Sequence, residues 1–156
     1  MIAVAYFNDS IAKGTVYFTE LEKSKIKVDI DLVLESKNKK HGFHIHEAGD
    51  LTLNCISMCS HLNPYNSYHG GRDSKVRHIG DLGNISTDKN GRVKDSFIDE
   101  KIKLRGFVCN IIGRGLIIHA DEDDCGMTDH PDSKTTGNSG KRIACAVIGY
   151  SEKMFQ

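Results

Sequence analysis

At 156 residues, with 38% hydrophobic residues and 15 glycines, the chain is long and apolar enough for one substantial core. Its 21 basic and 21 acidic residues cancel, which excludes the overall basic character of a nucleic-acid binder and leaves any steering of a charged substrate to local charge placement. No apolar run reaches the roughly 18 residues that span a bilayer, so neither nucleic acid nor membrane is expected as a partner.

The first segment, Met1 to Phe7, is apolar but short. It lacks a basic flank and runs directly into Asn8-Asp9. It is expected to be a strand, not a signal peptide, and a cytoplasmic location is the default. Thr15-Val16-Tyr17-Phe18 is rich in strand formers. Ile26, Val28, Ile30 and Leu32 alternate with Lys27, Asp29 and Asp31, the period of a half-buried strand. Asp81–Ser86 and Arg92–Ile98 follow as strands, and Asp88-Lys89-Asn90-Gly91 between them predicts a hairpin turn. Gly115–His119 and Ile143–Tyr150 supply two more. No long segment keeps a helical period, so the expected class is all-β, a sandwich or barrel, with residues 1–156 forming one domain. Residues 48–80 and 121–141 do not read as strands. Loops of that length in a compact domain are usually functional or disordered, and these two hold most of the unusual chemistry.

Eight histidines are present: His41, His44, His46, His61, His69, His78, His119 and His130. His44 and His46 are two apart in a strand-like run, so their side chains share a face and are close enough to share an ion. Imidazole suits copper and zinc, but such a pair alone does not make a metal site. His61, His69, His78 and Asp81 form a second group within one loop. Three imidazoles and a carboxylate make a closed zinc set, and Gly70-Gly71 gives the loop the flexibility to close round it. The bland alternative is a polar loop with scattered histidines. The five cysteines, Cys55, Cys59, Cys109, Cys125 and Cys145, form no CxxC or CxC. Reduced thiols are the starting expectation for a cytosolic chain.

The segments HGFHIHEAGD (41–50), HLNP (61–64), HGG (69–71), RHIGDLGN (77–84), IIGRGLIIH (111–119) and GNSGKRIACAVIG (137–149) together resemble the copper/zinc superoxide dismutase family. The resemblance runs in order along nearly the whole chain. It implies an eight-stranded Greek-key β-sandwich or barrel of immunoglobulin-like kind with two long functional loops. It implies one copper ion, on His44, His46, His61 and His119, and one zinc ion, on His61, His69, His78 and Asp81. His61 belongs to both sets, so its ring would bridge the two ions. Asp123, which alone reads as a solvated member of an acidic run, matches the carboxylate that orients His44 and His69.

The same resemblance assigns Arg142 to the mouth of the copper site, where it would hold a small anion. It assigns Thr136 to the channel wall, with Lys134 and Lys141 adding positive potential. Cys55 and Cys145 match the family's disulfide, which leaves Cys59, Cys109 and Cys125 as free thiols, buried or incidental. His41 matches a histidine that supports the structure through hydrogen bonds, and His130 is expected in an exposed loop.

The implied activity is antioxidant: disproportionation of superoxide anion by Cu(II)/Cu(I) cycling. The implied partners are a second copy of the chain and a copper chaperone. Gly49-Asp50, Ile112-Gly113 and Ile148-Gly149 match dimer-contact segments. Two features depart from the family pattern. Arg72 stands after Gly70-Gly71 where many members have proline, which predicts a looser zinc loop. Residues 127–135 also differ, which weakens any inference about the guiding field. Two readings compete: a copper carrier or decoy on the same fold, and a zinc-stabilised binding sandwich.

Overall fold

The computed structural model describes residues 1–156. Nine strands form: β1 (Ile2–Asn8), β2 (Ala12–Glu20), β3 (Ile26–Leu34), β4 (Lys40–His46), β5 (Thr52–Cys55), β6 (Asp81–Ser86), β7 (Arg92–Asp99), β8 (Gly115–His119) and β9 (Arg142–Tyr150). Eight of them make one antiparallel sheet in the order β6-β4-β8-β9-β1-β2-β3-β7, curled into a nearly closed barrel. β5 is a short addition inside the first long loop. The connections β3–β4, β6–β7 and β7–β8 cross between the two halves of the sheet, as a Greek key requires. The expected fold class is therefore the observed one.

The alternation read in β3 is obeyed: Ile26, Val28, Ile30, Leu32 and Leu34 are buried, whereas Lys27, Asp31 and Val33 are exposed. β1 and β2 add Ala3, Ala5, Phe7, Ala12, Val16 and Phe18 to the same core. β4 departs from alternation, because every residue after Lys40 is buried. Phe43 and Ile45 enter the barrel core, while Gly42, His44 and His46 lie on the opposite face, beneath the long loops. A strand covered on both faces cannot show a clean apolar-polar period.

One local expectation needs correction. The turn at Asp88–Gly91 exists: Asp88 Oδ1 accepts the backbone N–H groups of Asn90 and Arg92 at 2.7 and 2.9 Å. Yet β6 and β7 are not paired as a hairpin; they are the two free ends of the strand order. The turn carries the chain from one half of the barrel to the other. Gly91 (φ +80°) passes so close to β3 that an added Cβ would lie 2.1 Å from the Leu34 carbonyl oxygen. That approach, not a two-strand ladder, is what the glycine serves.

The first long loop is laid against the end of β4 by backbone bonds. Leu62 N–H donates to Ile45 O, Ile45 N–H to Gly80 O and Glu47 N–H to Ser60 O, each at 2.9 Å. These bonds set His61 beside His46 in an isolated antiparallel bridge. The end of the loop is anchored by a buried ion pair. Arg77 Nη2 donates to Asp99 Oδ2 at 2.5 Å, and its Nη1 to the Asp81 carbonyl at 2.7 Å. The second long loop contains one short helix, α1 (Ser133–Thr136), closed by Gly137 in the left-handed conformation.

Candidate metal centre

The strand register gathers three histidines before any loop takes part. His44 faces Ile117 across the β4–β8 ladder, so His119, two residues on from Ile117, is its diagonal neighbour on the same face. His46 faces Gly115. A Cβ at Gly115 would lie 2.2 Å from Met58 Sδ, so glycine is required there. A register shift between Ile118 and His119 sets Arg142 opposite His119. The loop then brings His61 over His44, with ring centroids 4.1 Å apart.

Each of these rings is held by one nitrogen, and the other nitrogen is left without a partner. His44 Nε2 is bonded to Asp123 Oδ2 at 2.7 Å, His46 Nδ1 to the Cys59 carbonyl at 2.9 Å and His119 Nδ1 to the Gly140 carbonyl at 3.1 Å. Their remaining nitrogens, His44 Nδ1, His46 Nε2 and His119 Nε2, are buried with no hydrogen-bond partner, and so is His61 Nε2. Donor atoms of these four histidines lie within 4.8 Å of one another. Buried polar atoms are almost always satisfied. Four orphaned lone pairs converging on one point fit a copper ion.

The other nitrogen of His61 faces a second pocket. Its Nδ1 is 2.9 Å from Asp81 Oδ1, His69 Nδ1 is 3.0 Å from the same oxygen, and His78 Nδ1 is 3.1 Å from it. The His69 contact is out of line for a hydrogen bond, and that nitrogen too is orphaned. A tetrahedral ion with ligands at roughly 2.0–2.1 Å sets its donors about 3.3 Å apart. The Nδ1–oxygen contacts are close to that spacing, so the residues fit zinc. Asp81 opens β6 opposite His44 in the β4 ladder. That register, together with Arg77, fixes its carboxylate. Its Oδ2 accepts the N–H groups of His78 and Gly70 at 2.8 and 3.1 Å.

Asp123 lies behind both pockets, buried, and is not the solvated residue its acidic run suggests. Oδ2 holds His44 and Oδ1 holds His69 Nε2 at 2.8 Å. Gly137 lies so close that a Cβ would sit 1.9 Å from Asp123 Oδ1. The backbone of Asp123 is gripped by Asn84, whose side chain donates to the Asp123 carbonyl at 2.9 Å and accepts its N–H at 2.7 Å. Asn84 stands inside the RHIGDLGN segment, but nothing in the sequence marked that role. Replacing Asp123 with alanine is expected to lower affinity for both metals about 10–100-fold, since each ring loses its outer partner. Competition against a chelator, metal by metal, measures this.

Electrostatics separates the pockets. Burial, reinforced by the neighbouring rings, holds His44 and His46 far below the usual histidine range. Burial likewise brings His119 down to about 4, against its bond to Gly140. These rings are neutral and offer lone pairs. At His69 burial acts in the same sense, but the carboxylates of Asp123 and Asp81 outweigh it and raise the group to about 9. Three adjacent histidines overcome the burial of Asp81 and keep it ionised.

The first pocket opens onto a cleft of about 910 Å³. Thr136, Lys134, Lys141 and Arg142 line it, with Glu47 and Asp132 as opposing charges. Arg142 is aimed by the loop before His61: Nη1 donates to the carbonyls of Cys55 and Ile56 at 2.8 and 3.1 Å, and Nη2 to that of Cys59 at 2.5 Å. Cys55 is bonded to Cys145 on β9, as expected. Lys134 is less free than expected, because its ammonium donates to the Gly126 carbonyl at 2.5 Å. Lys141 is exposed. Cys59 is exposed rather than buried, and Cys109 and Cys125 are half-buried. His41 donates through Nδ1 to the His119 carbonyl at 2.7 Å and accepts from the Ser36 hydroxyl at 2.6 Å, a supporting role. His130 is exposed.

Arg72, where a looser zinc loop is expected, is held by contacts of its own. Its side chain spans from β6 to β7, donating to the Leu82 and Asn84 carbonyls and pairing with Asp95.

Comparison with known proteins agrees with this chemistry. The family model for copper/zinc superoxide dismutase matches residues 12–148. A Cu-Zn superoxide dismutase of Paramecium bursaria Chlorella virus 1 is 59% identical over 92% of this chain and 75% of its own. An extracellular Cu-Zn superoxide dismutase of Drosophila melanogaster is 47% identical over 94% of this chain and 84% of its own. A crystal structure of the clock protein EA4 superposes with a TM-score of 0.92 and 39% identity, covering 96% of this chain and 94% of that one. With two ligand pockets joined by one imidazole and this similarity along its length, the chain belongs to the copper/zinc superoxide dismutase family, enzymes that use a copper and a zinc ion to disproportionate superoxide.

Proposed function

We propose that residues 1–156 act as one catalytic domain in which His44, His46, His61 and His119 hold copper and His61, His69, His78 and Asp81 hold zinc. Copper, when bound there, would supply the one-electron redox couple by which two superoxide anions and two protons become oxygen and hydrogen peroxide. His44, His46 and His119 contribute their orphaned Nδ1, Nε2 and Nε2 atoms. His61 Nε2, when free, would hold a proton and give it to the peroxide leaving the cleft. Its Nδ1 stays fixed against Asp81, which keeps the ring in place while the proton moves. The zinc set, with four protein ligands, leaves no open position and serves structure and the tuning of His61. The observation that carries this reading is the position of His61, with one nitrogen in each pocket.

Arg142 holds the incoming anion at the cleft mouth, with Lys141 and Lys134 adding positive potential and Thr136 narrowing the wall. The three carbonyls that grip its guanidinium support this role, since they fix its direction without neutralising its charge. Inhibition of superoxide-dependent dye reduction by the copper- and zinc-loaded protein tests the activity; inhibition no better than that of equal free copper would reject it. Arg142→Ala is expected to keep both metals and lose activity about tenfold, with a flatter dependence on ionic strength. A copper carrier or decoy would be indifferent to that substitution. A zinc-only binding sandwich would take up no copper.

The chain acts as a homodimer in this reading. Leu53 and Ile56, in the segment that follows Gly49-Asp50, are 66% and 75% exposed, and solvent-facing apolar groups there favour a partner. Sedimentation at micromolar concentration is expected to give twice the 17.3 kDa chain mass. A 17.3 kDa species would remove the dimer. Cytoplasmic residence and copper delivery by a chaperone belong to the same reading. No helix is long and apolar enough to cross a membrane, and the copper-side cleft is open to a donor protein.

A further inference from the structure

We infer that Arg72 is a positioning residue for the zinc pocket: it clasps the open seam of the barrel and thereby fixes the loop that carries His69. The inference rests on the reading of His61, His69, His78 and Asp81 as zinc ligands.

β6 and β7 end the strand order, so each has a ladder partner on one side only. Unpaired edge carbonyls and amides are weak points of a sheet. Arg72 occupies this gap. Its Nε donates to the Leu82 carbonyl at 2.9 Å and its Nη2 to the Asn84 carbonyl at 3.3 Å, both on β6. Its Nη1 is 3.4 Å from Asp95 Oδ2 on β7, and its guanidinium carbon lies 3.6 Å above the centre of the Phe97 ring on the same strand. One planar group therefore joins both free edges. Gly83 (φ +76°) lies between the two carbonyls, and an added Cβ there would come within 3.3 Å of Arg72 Cβ.

The clasp reaches His69 by two routes. Along the chain, Arg72 is three residues from His69, and the two residues between are Gly70 and Gly71, which resist bending least. Gly70 is tied to Asp81 Oδ2 on one side, and Arg72 closes the other. Across space, the Asn84 residue whose carbonyl accepts Arg72 also grips the Asp123 backbone, and Asp123 Oδ1 holds His69 Nε2 at 2.8 Å. Release of Arg72 frees the loop at its glycines and unsettles the β6 residue that supports Asp123. Of the copper-side rings, His46 and His119 are held by Cys59 and Gly140, outside both routes, and only His44 shares Asp123 with His69. A lysine cannot replace the arginine, because it lacks the planar fork that bonds two carbonyls while stacking on a ring.

The test compares the copper- and zinc-loaded wild type with Arg72→Ala, Arg72→Lys and the remote core variant Val16→Ala. Release of zinc and of copper to a chromogenic chelator is timed, and the visible spectrum of cobalt(II) in the zinc pocket is recorded. Arg72→Ala and Arg72→Lys are expected to release zinc about tenfold faster, at the low end of the effect of losing an outer support. Their cobalt spectra are expected to shift, and their copper release to accelerate less than their zinc release, because His44 alone of the copper-side rings depends on Asp123. Val16→Ala is expected to lower the melting temperature without changing zinc release. Zinc release from Arg72→Ala within twofold of wild type would overturn the inference, as would equal acceleration in Val16→Ala or full rescue by lysine. A wild type that binds no zinc or cobalt would instead remove the underlying reading of the pocket.

Discussion

His61→Ala is expected to retain copper and lose most of its superoxide dismutase activity. Three of the four orphaned nitrogens on the cleft side belong to His44, His46 and His119, and each ring is oriented by a partner other than His61. Copper therefore keeps three imidazoles. The missing ring removes the proton carrier, and positioned proton transfer is worth about 10²–10⁴-fold. It also removes one zinc ligand, so zinc affinity falls together with activity. Metal analysis and the dye-reduction assay on the same sample separate these effects. A copper-replete His61→Ala protein with more than a third of wild-type activity would show that the ring carries no proton in the reaction.

The double variant Cys55→Ser, Cys145→Ser is expected to lose about 4–5 kcal/mol in the metal-free state. The bridge spans a sequence separation of 90, and chain entropy assigns a loop of that length this cost. For a chain of this size the melting temperature is then expected to fall by about 8–20 °C. Function is coupled to the same bond. The Cys55 and Cys59 carbonyls that aim Arg142 lie on the segment the bridge ties to β9, and the Cys59 carbonyl also orients His46. Reduction is therefore expected to lower activity before copper is lost. A variant that melts within two degrees of wild type would show that the unfolded chain is little constrained by the bridge.

The sequence exposed the core strands well. β3 alternates because one face meets the core and the other meets water. β4 did not alternate, since the long loops bury its outer face as well. The turn at Asp88–Gly91 was readable from its residues, but pairing depends on where the strands go afterwards, and β6 and β7 part into opposite halves. At the metal centre, residue types and the His44/His46 spacing pointed to an ion. The sharing of His61, the Asp123 link and the disulfide came from family resemblance, because each joins residues far apart in the chain. The contacts of Arg72 have no local signature. Proline stiffens a loop locally, whereas this arginine fixes it through contacts with β6 and β7 that no local pattern encodes. The carbonyls of Cys59 and Gly140 that orient His46 and His119 were likewise invisible, since any residue supplies a carbonyl.

Anomalous diffraction from crystals of the metal-loaded protein, recorded at the copper and zinc absorption edges, tests the shared ring most directly. The expected result is two peaks flanking His61: copper beside Nε2 among His44, His46 and His119, and zinc beside Nδ1 among His69, His78 and Asp81. Both metals in one pocket, or a His61 ring touching only one of them, would contradict the bimetallic centre.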